Sequence, residues 1–238
     1  MANNENNSNE ECCGPIDPSM VSPVMRNVYV YISNTLLEEG RMPSLEEVSG
    51  KTKQPEEVIK QVLDGFEGVA GIYRDPFFNN VIAFYPVSAI PTIHKIVRSD
   101  GGRIAYSPCA MDALTLAPTL ERKLDIRSSC RYCDHEISII YNDDGSKIIG
   151  HTPEDIWIWI EDRIPSDAPY YLVVCINTNF FCCKEHLDKW RAEETVIHSG
   201  KPYSLSDAFD AFELWCTYKM YKLVVEGRPW GGKALDQI

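Results

Sequence analysis

Cys109 and Asp112 stand three residues apart in the run Ser107-Pro108-Cys109-Ala110-Met111-Asp112, and a vicinal pair, Cys182-Cys183, follows much later in the chain. Ser107 is a favoured N-cap residue and Pro108 suits a first helical position, so the run predicts a helix that opens with Cys109 in its first turn. Free backbone N–H groups and the helix dipole favour negative charge there, which predicts a thiol that loses its proton more easily than usual. Asp112 would project from the same helical face. A thiolate beside a carboxyl can hold a soft electrophile and move a proton next to it. A single cysteine so placed is more often plain core, so the pair gains meaning only from the rest of the chain.

The 238 residues carry nine cysteines, an odd number, with no basic n-region or apolar h-region at the N-terminus. That usage predicts reduced thiols in a cytoplasmic setting, serving metal or redox chemistry rather than a disulfide scaffold. Cys12-Cys13 close an Asn-, Glu- and Ser-rich stretch that reads as a disordered tail, and they could capture a soft metal. Cys130-Arg131-Tyr132-Cys133 reads as a tight knuckle and offers half of a zinc site. No second C-x-x-C is present, so structural zinc at Cys130 and Cys133 is not expected unless the fold brings Cys12-Cys13 or Cys182-Cys183 near. Cys175 and Cys216 lie in apolar surroundings and read as core.

A net charge of −12 argues against nucleic acid and anionic membrane surfaces as partners. The longest apolar runs, such as Tyr170 to Ile176, fall far short of the roughly 20 residues that span a bilayer.

The elements that must position these residues read as α+β. Helical spacing of Val24, Val28, Ile32 and Leu36 predicts a helix from Ser22-Pro23 to Glu39, ended by Gly40. Ser44-Leu45-Glu46-Glu47 is a capping-box pattern, and Pro55 begins a third helix through Phe66. A hairpin from Val69 to Pro86 completes a winged-helix-like helical domain over 18–98, behind a tail at 1–17. An α/β core over 99–238 carries the cysteines on a mixed or antiparallel sheet with flanking helices. Its strands are predicted at Arg103–Tyr106, Lys123–Arg127, Glu136–Tyr141, Lys147–Ile149, Ile156–Ile160 and Tyr170–Asn177. Helices are predicted from Pro108 to about Leu120, from Lys184 to Arg191, and from Ser204 or Ser206 to about Val225.

The run Arg103-Ile104-Ala105-Tyr106-Ser107-Pro108-Cys109-Ala110-Met111-Asp112-Ala113-Leu114 resembles the catalytic segment of organomercurial (alkylmercury) lyases. Ile126-Arg127-Ser128-Ser129-Cys130 and Phe180-Phe181-Cys182-Cys183 are similar to two further blocks of that family, in the same order, and the likeness covers about residues 40–225. Three ordered blocks are fairly specific where a lone C-x-x-D is weak. The resemblance implies protonolysis of a carbon–mercury bond, with thiol ligands at Cys109 and Cys182 and a proton-handling aspartate at Asp112. It implies no organic cofactor, Hg(II) held as product, and cellular thiols or a mercuric reductase as its acceptor. It also implies a helical domain that does not read DNA and a largely structural role for Cys130; Cys133 and His135 depart from the pattern. Cys183 is treated as accessory, because adjacent residues of an extended chain face opposite ways. Which of Cys182 and Cys183 faces the pocket stays open. Tyr106, Met111, Leu114, Phe181 and Trp190 are candidates for an apolar lining.

Two other classes compete. A soft-metal-binding protein or metallochaperone would keep the thiols without turnover, and Asp112 discriminates, since a binder has no use for an acid. A metal-responsive DNA-binding regulator is disfavoured by the acidic charge. A lyase for another organometallic shares the same residues.

Overall fold

Ser22 caps the first helix by accepting the Met25 N–H at 3.2 Å, Pro23 takes the first position, and Gly40 at φ 66° ends it, so α1 spans Pro23–Glu39 as its residues predict. The computed structural model describes residues 21–68, 72–75, 77–98, 105–161, 170–193 and 199–211. The tail with Cys12-Cys13 and the segment with Cys216 lie outside them.

Helix α2 (Leu45–Thr52) opens with the full capping box of Ser44 and Glu47, and α3 (Glu56–Gly68) follows. Val28, Tyr29, Ile32 and Leu36 of α1 face Ile59 and Phe66 of α3, all of them buried. The rings of Tyr29 and Phe66 lie 5.4 Å apart. Strands β1 (Ile72–Arg74) and β2 (Val81–Phe84) form the expected hairpin. Its loop is held by Asp75, whose carboxylate accepts the N–H groups of Phe77 and Phe78 at 2.8 Å.

The hairpin does not stand apart as a wing. Strands β3 (Val87–Ser88), β4 (Lys95–Arg98), β5 (Ala105–Tyr106), β6 (Leu124–Ser129), β7 (Glu136–Tyr141) and β8 (Ile148–Thr152) extend it into one eight-stranded antiparallel sheet, ordered β1-β2-β3-β5-β4-β6-β7-β8. Strand β4 is seated between β5 and β6, so strands from both sides of residue 98 share this sheet. Strand β7 alternates as predicted, with Ile137, Ile139 and Tyr141 fully buried.

Helix α4 (Ala110–Leu120) packs beneath this sheet with Ala110 through Thr119 all buried. A second antiparallel sheet contains β9 (Trp157–Ile160) between β10 (Asn179–Phe181) and β11 (Lys201–Ser204). Helix α6 (Lys184–Glu193) lies against it, and α7 (Leu205–Asp210) is capped by Ser204. Phe181 and Trp190, expected as pocket lining, belong to this core, where the Trp190 ring lies 5.2 Å from that of Phe181 and 6.1 Å from that of Trp159.

One element departs from expectation. Tyr170–Asn177 reads as a buried strand but forms helix α5 (Tyr170–Val173) and a 3-10 turn at Cys175–Asn177. A short apolar run rich in β-branched residues fits a strand or a buried helix equally well. Here local hydrogen bonding decides: Asn177 donates its side-chain amide to Val173 O at 2.7 Å, and Thr178 N donates to Val174 O at 3.0 Å. The coil shortens the segment and turns Cys175 inward.

Candidate functional site

Four contacts fix the segment that leads into α4. Ser107 N donates to His94 O at 2.9 Å, Ser107 Oγ to Pro86 O at 3.1 Å, Thr92 Oγ1 to Ser107 O at 2.7 Å, and Ala110 N to Thr178 O at 3.1 Å. Ser107 thus ties strands together instead of capping the helix, and Cys109 itself is the N-cap. Its backbone is extended at φ −150°, and its sulfur accepts the Asp112 N–H at 3.4 Å. The cap lies two residues later than expected because both ends of Ser107 are engaged elsewhere.

Cys109 Sγ donates to Asp112 Oδ2 at 3.0 Å. Cys109, Asp112 and Cys175 bring one ligand atom each within 4.8 Å of one another, and all three are buried. Tyr85, directly after β2, places its hydroxyl 3.2 Å from Cys175 Sγ, and its carbonyl accepts from the Tyr29 hydroxyl. The site is therefore two thiols, one carboxylate and one phenol, drawn from α4, the turn after α5, and the sheet.

Burial governs its electrostatics. Desolvation pushes the Cys109 thiol well above the ordinary range, and contact with Cys175 and the neighbouring Asp112 carboxylate add to the rise. The expected depression by the helix start is overturned, because one N–H contact to the sulfur does not offset complete removal from water. Burial likewise raises the Tyr85 phenol, so it remains an O–H donor.

Cys182 does not join Cys109 and Asp112. Coiling of the segment before β10 tucks Cys175 against Cys109, and β10 then carries the chain away, so Cys182 emerges beside the knuckle. Its sulfur lies 3.7 Å from Cys133 Sγ and 2.9 Å from His186 Nδ1. Burial and the adjacent Cys133 and Cys130 sulfurs push the Cys182 thiol up. Cys130, Cys133, Cys182 and His186 form a second convergent group, with ligand atoms within 4.8 Å of one another. Cys183 joins neither group, and its side chain is half-buried.

Sequence reasoning treated Cys175 as core, since a cysteine in an apolar run gives no other signal. Tyr85 gave none at all. His186 did: Cys182-x-x-x-His186 is ligand spacing that complements C-x-x-C.

The alkylmercury lyase family model matches residues 87–217, more than half of the chain, and takes in Cys109, Asp112 and Cys175. The chain belongs to the alkylmercury lyase family. That places it among enzymes of the lyase class. The alkylmercury lyase of Staphylococcus epidermidis is 24% identical over 179 residues, covering 75% of this chain and 76% of the relative. That of Bacillus cereus is 23% identical over 201 residues, 84% of each. A crystal structure of the mercury-bound form of MerB2 shares the fold at a TM-score of 0.68 and 21% identity, covering 87% of this chain and 94% of the other. None of the described helices is long and apolar enough to cross a membrane.

Proposed function

We propose that this alkylmercury lyase family member cleaves the carbon–mercury bond by protonolysis, with Cys109 and Cys175 holding the mercury and Asp112 moving the proton. The observation that carries the reading is the buried convergence of two sulfurs and a carboxylate, with the Cys109 S–H already directed at Asp112 at 3.0 Å. Family membership and the mercury-bound state of the structural relative support mercury as the metal.

The bond is nearly nonpolar and resists water, so cleavage needs soft thiolates on the metal and an acid at the carbon together. The substrate enters as R–Hg–SR′, carried by a cellular thiol. Cys109 sulfur bonds to mercury as its proton passes to Asp112. Cys175 sulfur then bonds to mercury, Tyr85 donating to it as charge develops, and the carrier thiolate leaves as R′SH with the Cys175 proton. Asp112 returns its proton to the carbon, whose bonding pair to mercury becomes the C–H bond of RH. Two thiol protons enter, and one leaves in each product, with Hg(II) held by two thiolates. A site that rests with both thiols protonated thus stores the protons the reaction consumes. Cellular thiols or a mercuric reductase then accept Hg(II). No organic cofactor takes part in this sequence.

Incubation with methylmercury or phenylmercury and excess thiol tests the reading. Stoichiometric methane or benzene with inorganic mercury is the expected result. Tight mercury binding without hydrocarbon release would leave a soft-metal-binding protein in its place.

A further inference from the structure

Outside the lyase site, three cysteines and a histidine converge from separate elements. Cys130 and Cys133 flank the turn that follows β6; Cys182 directly follows β10; His186 lies in the first turn of α6. The turn is built to present its sulfurs: Cys130 N donates to His135 O at 2.8 Å, Asp134 N to Cys130 O at 2.9 Å, and Arg131 N to Phe180 O at 3.0 Å. Asp134 takes the left-handed conformation at φ 58°, which closes the knuckle. The same Arg131 contact docks the knuckle on β10, next to Cys182.

We propose that Cys130, Cys133, Cys182 and His186 bind one zinc ion as a structural Cys3His site. Zinc holds thiolate sulfur at about 2.3 Å and imidazole nitrogen at about 2.0 Å in a tetrahedron, so sulfur pairs sit about 3.8 Å apart and sulfur–nitrogen pairs about 3.5 Å apart. Cys133 and Cys182 sulfurs are 3.7 Å apart, and Cys130 Sγ lies 3.8 Å from His186 Nδ1. Cys182 Sγ and His186 Nδ1 are at hydrogen-bond distance, 2.9 Å, and separate slightly as the metal replaces the shared proton. All four donor atoms fit inside 4.8 Å.

Ligand spacing agrees: C-x-x-C in the knuckle, and a cysteine followed by histidine four residues on, across a helix start. Four protein donors close the coordination shell, which marks a structural site, since a catalytic zinc keeps an open position. Four donors also exceed the two thiolates that satisfy mercury. The ion would join β6, β10 and α6, and so fix the strand whose neighbour Thr178 hydrogen-bonds the start of α4.

The full chain, expressed with zinc and purified without chelator, is tested by elemental analysis and zinc-edge X-ray absorption. One zinc per chain with three sulfur and one nitrogen neighbours is expected. After chelation, titration with cobalt should give the charge-transfer and ligand-field bands of a tetrahedral thiolate site. Cys133→Ser should bind zinc at least tenfold more weakly, while Cys175→Ala keeps it. Should Cys133→Ser fail to fold, the absorption and cobalt spectra of the unaltered chain decide. No zinc and no cobalt bands, a different ligand count, zinc lost in Cys175→Ala, or uptake of mercury alone at these residues each overturns the proposal.

Discussion

The Cys109 sulfur is joined to Asp112 twice, by its S–H donated to the carboxylate Oδ2 at 3.0 Å and by the Asp112 backbone N–H donated back to the sulfur at 3.4 Å. The cap that starts the helix and the proton path are one structure. Asp112→Asn preserves the N–H contact and removes only the site for the proton. Cleavage of phenylmercury should fall about a hundredfold or more, with Hg(II) affinity little changed. Benzene released at the parent rate would remove Asp112 from the mechanism.

Cys175 and Cys182 can be separated by the same assay. Cys175→Ser should lose both cleavage and the paired-thiolate binding of Hg(II). Cys182→Ser should keep measurable cleavage per folded molecule, because its sulfur lies with Cys133 and His186. Mercury titration followed by the thiolate–mercury ultraviolet band distinguishes the two variants. Inverted behaviour would return Cys182 to the role that the sequence blocks implied.

Tyr85→Phe keeps the ring in its buried place and removes the hydroxyl 3.2 Å from Cys175. A hydrogen bond to a developing thiolate contributes on the order of 1.5 kcal/mol, so turnover should slow about tenfold. Its signature is slowed hydrocarbon release with Hg(II) binding and folding intact; turnover at the parent rate would remove the Tyr85 hydroxyl from the mechanism.

His94 supplies a pH prediction. It is buried against Phe180, with Nδ1 3.0 Å from Ser128 Oγ, and burial lowers its pKa from 6.5 to about 3. Between those values the unfolded chain binds a proton that the folded chain refuses, so stability falls as pH drops below 6.5. The contribution approaches about 1.4 kcal/mol per pH unit within the window. Urea unfolding at pH 7 and pH 5 should show His94→Gln losing less stability between the two than the parent.

Elements with local signals were legible in the sequence. Ser22, Gly40 and the Ser44–Glu47 box delimit helices by contacts within a few residues, and the structure shows each of them. Cys109 and Asp112 were legible for the same reason, being three residues apart on one turn. The second thiol was not, because its position depends on whether residues 170–177 coil or extend, and periodicity in so short an apolar run does not distinguish them. The thiol's rise was hidden too, since capping is local and burial is a property of the whole fold. Likewise the sequence holds no second C-x-x-C to partner Cys130-x-x-Cys133, and only the fold brings Cys182 and His186 beside it.

The interleaving of β5 between β3 and β4 bears on how such a protein can be inherited. Residues on either side of position 98 alternate across the sheet, so no single crossover there yields two intact halves. A hybrid joined at that point would combine one parent's β4 with flanking strands from the other and must match edge pairing on both sides at once. A break in the chain at that point would likewise leave β4 on one fragment and both of its sheet partners on the other, so the two pieces could pair only by restoring both edges of β4 together.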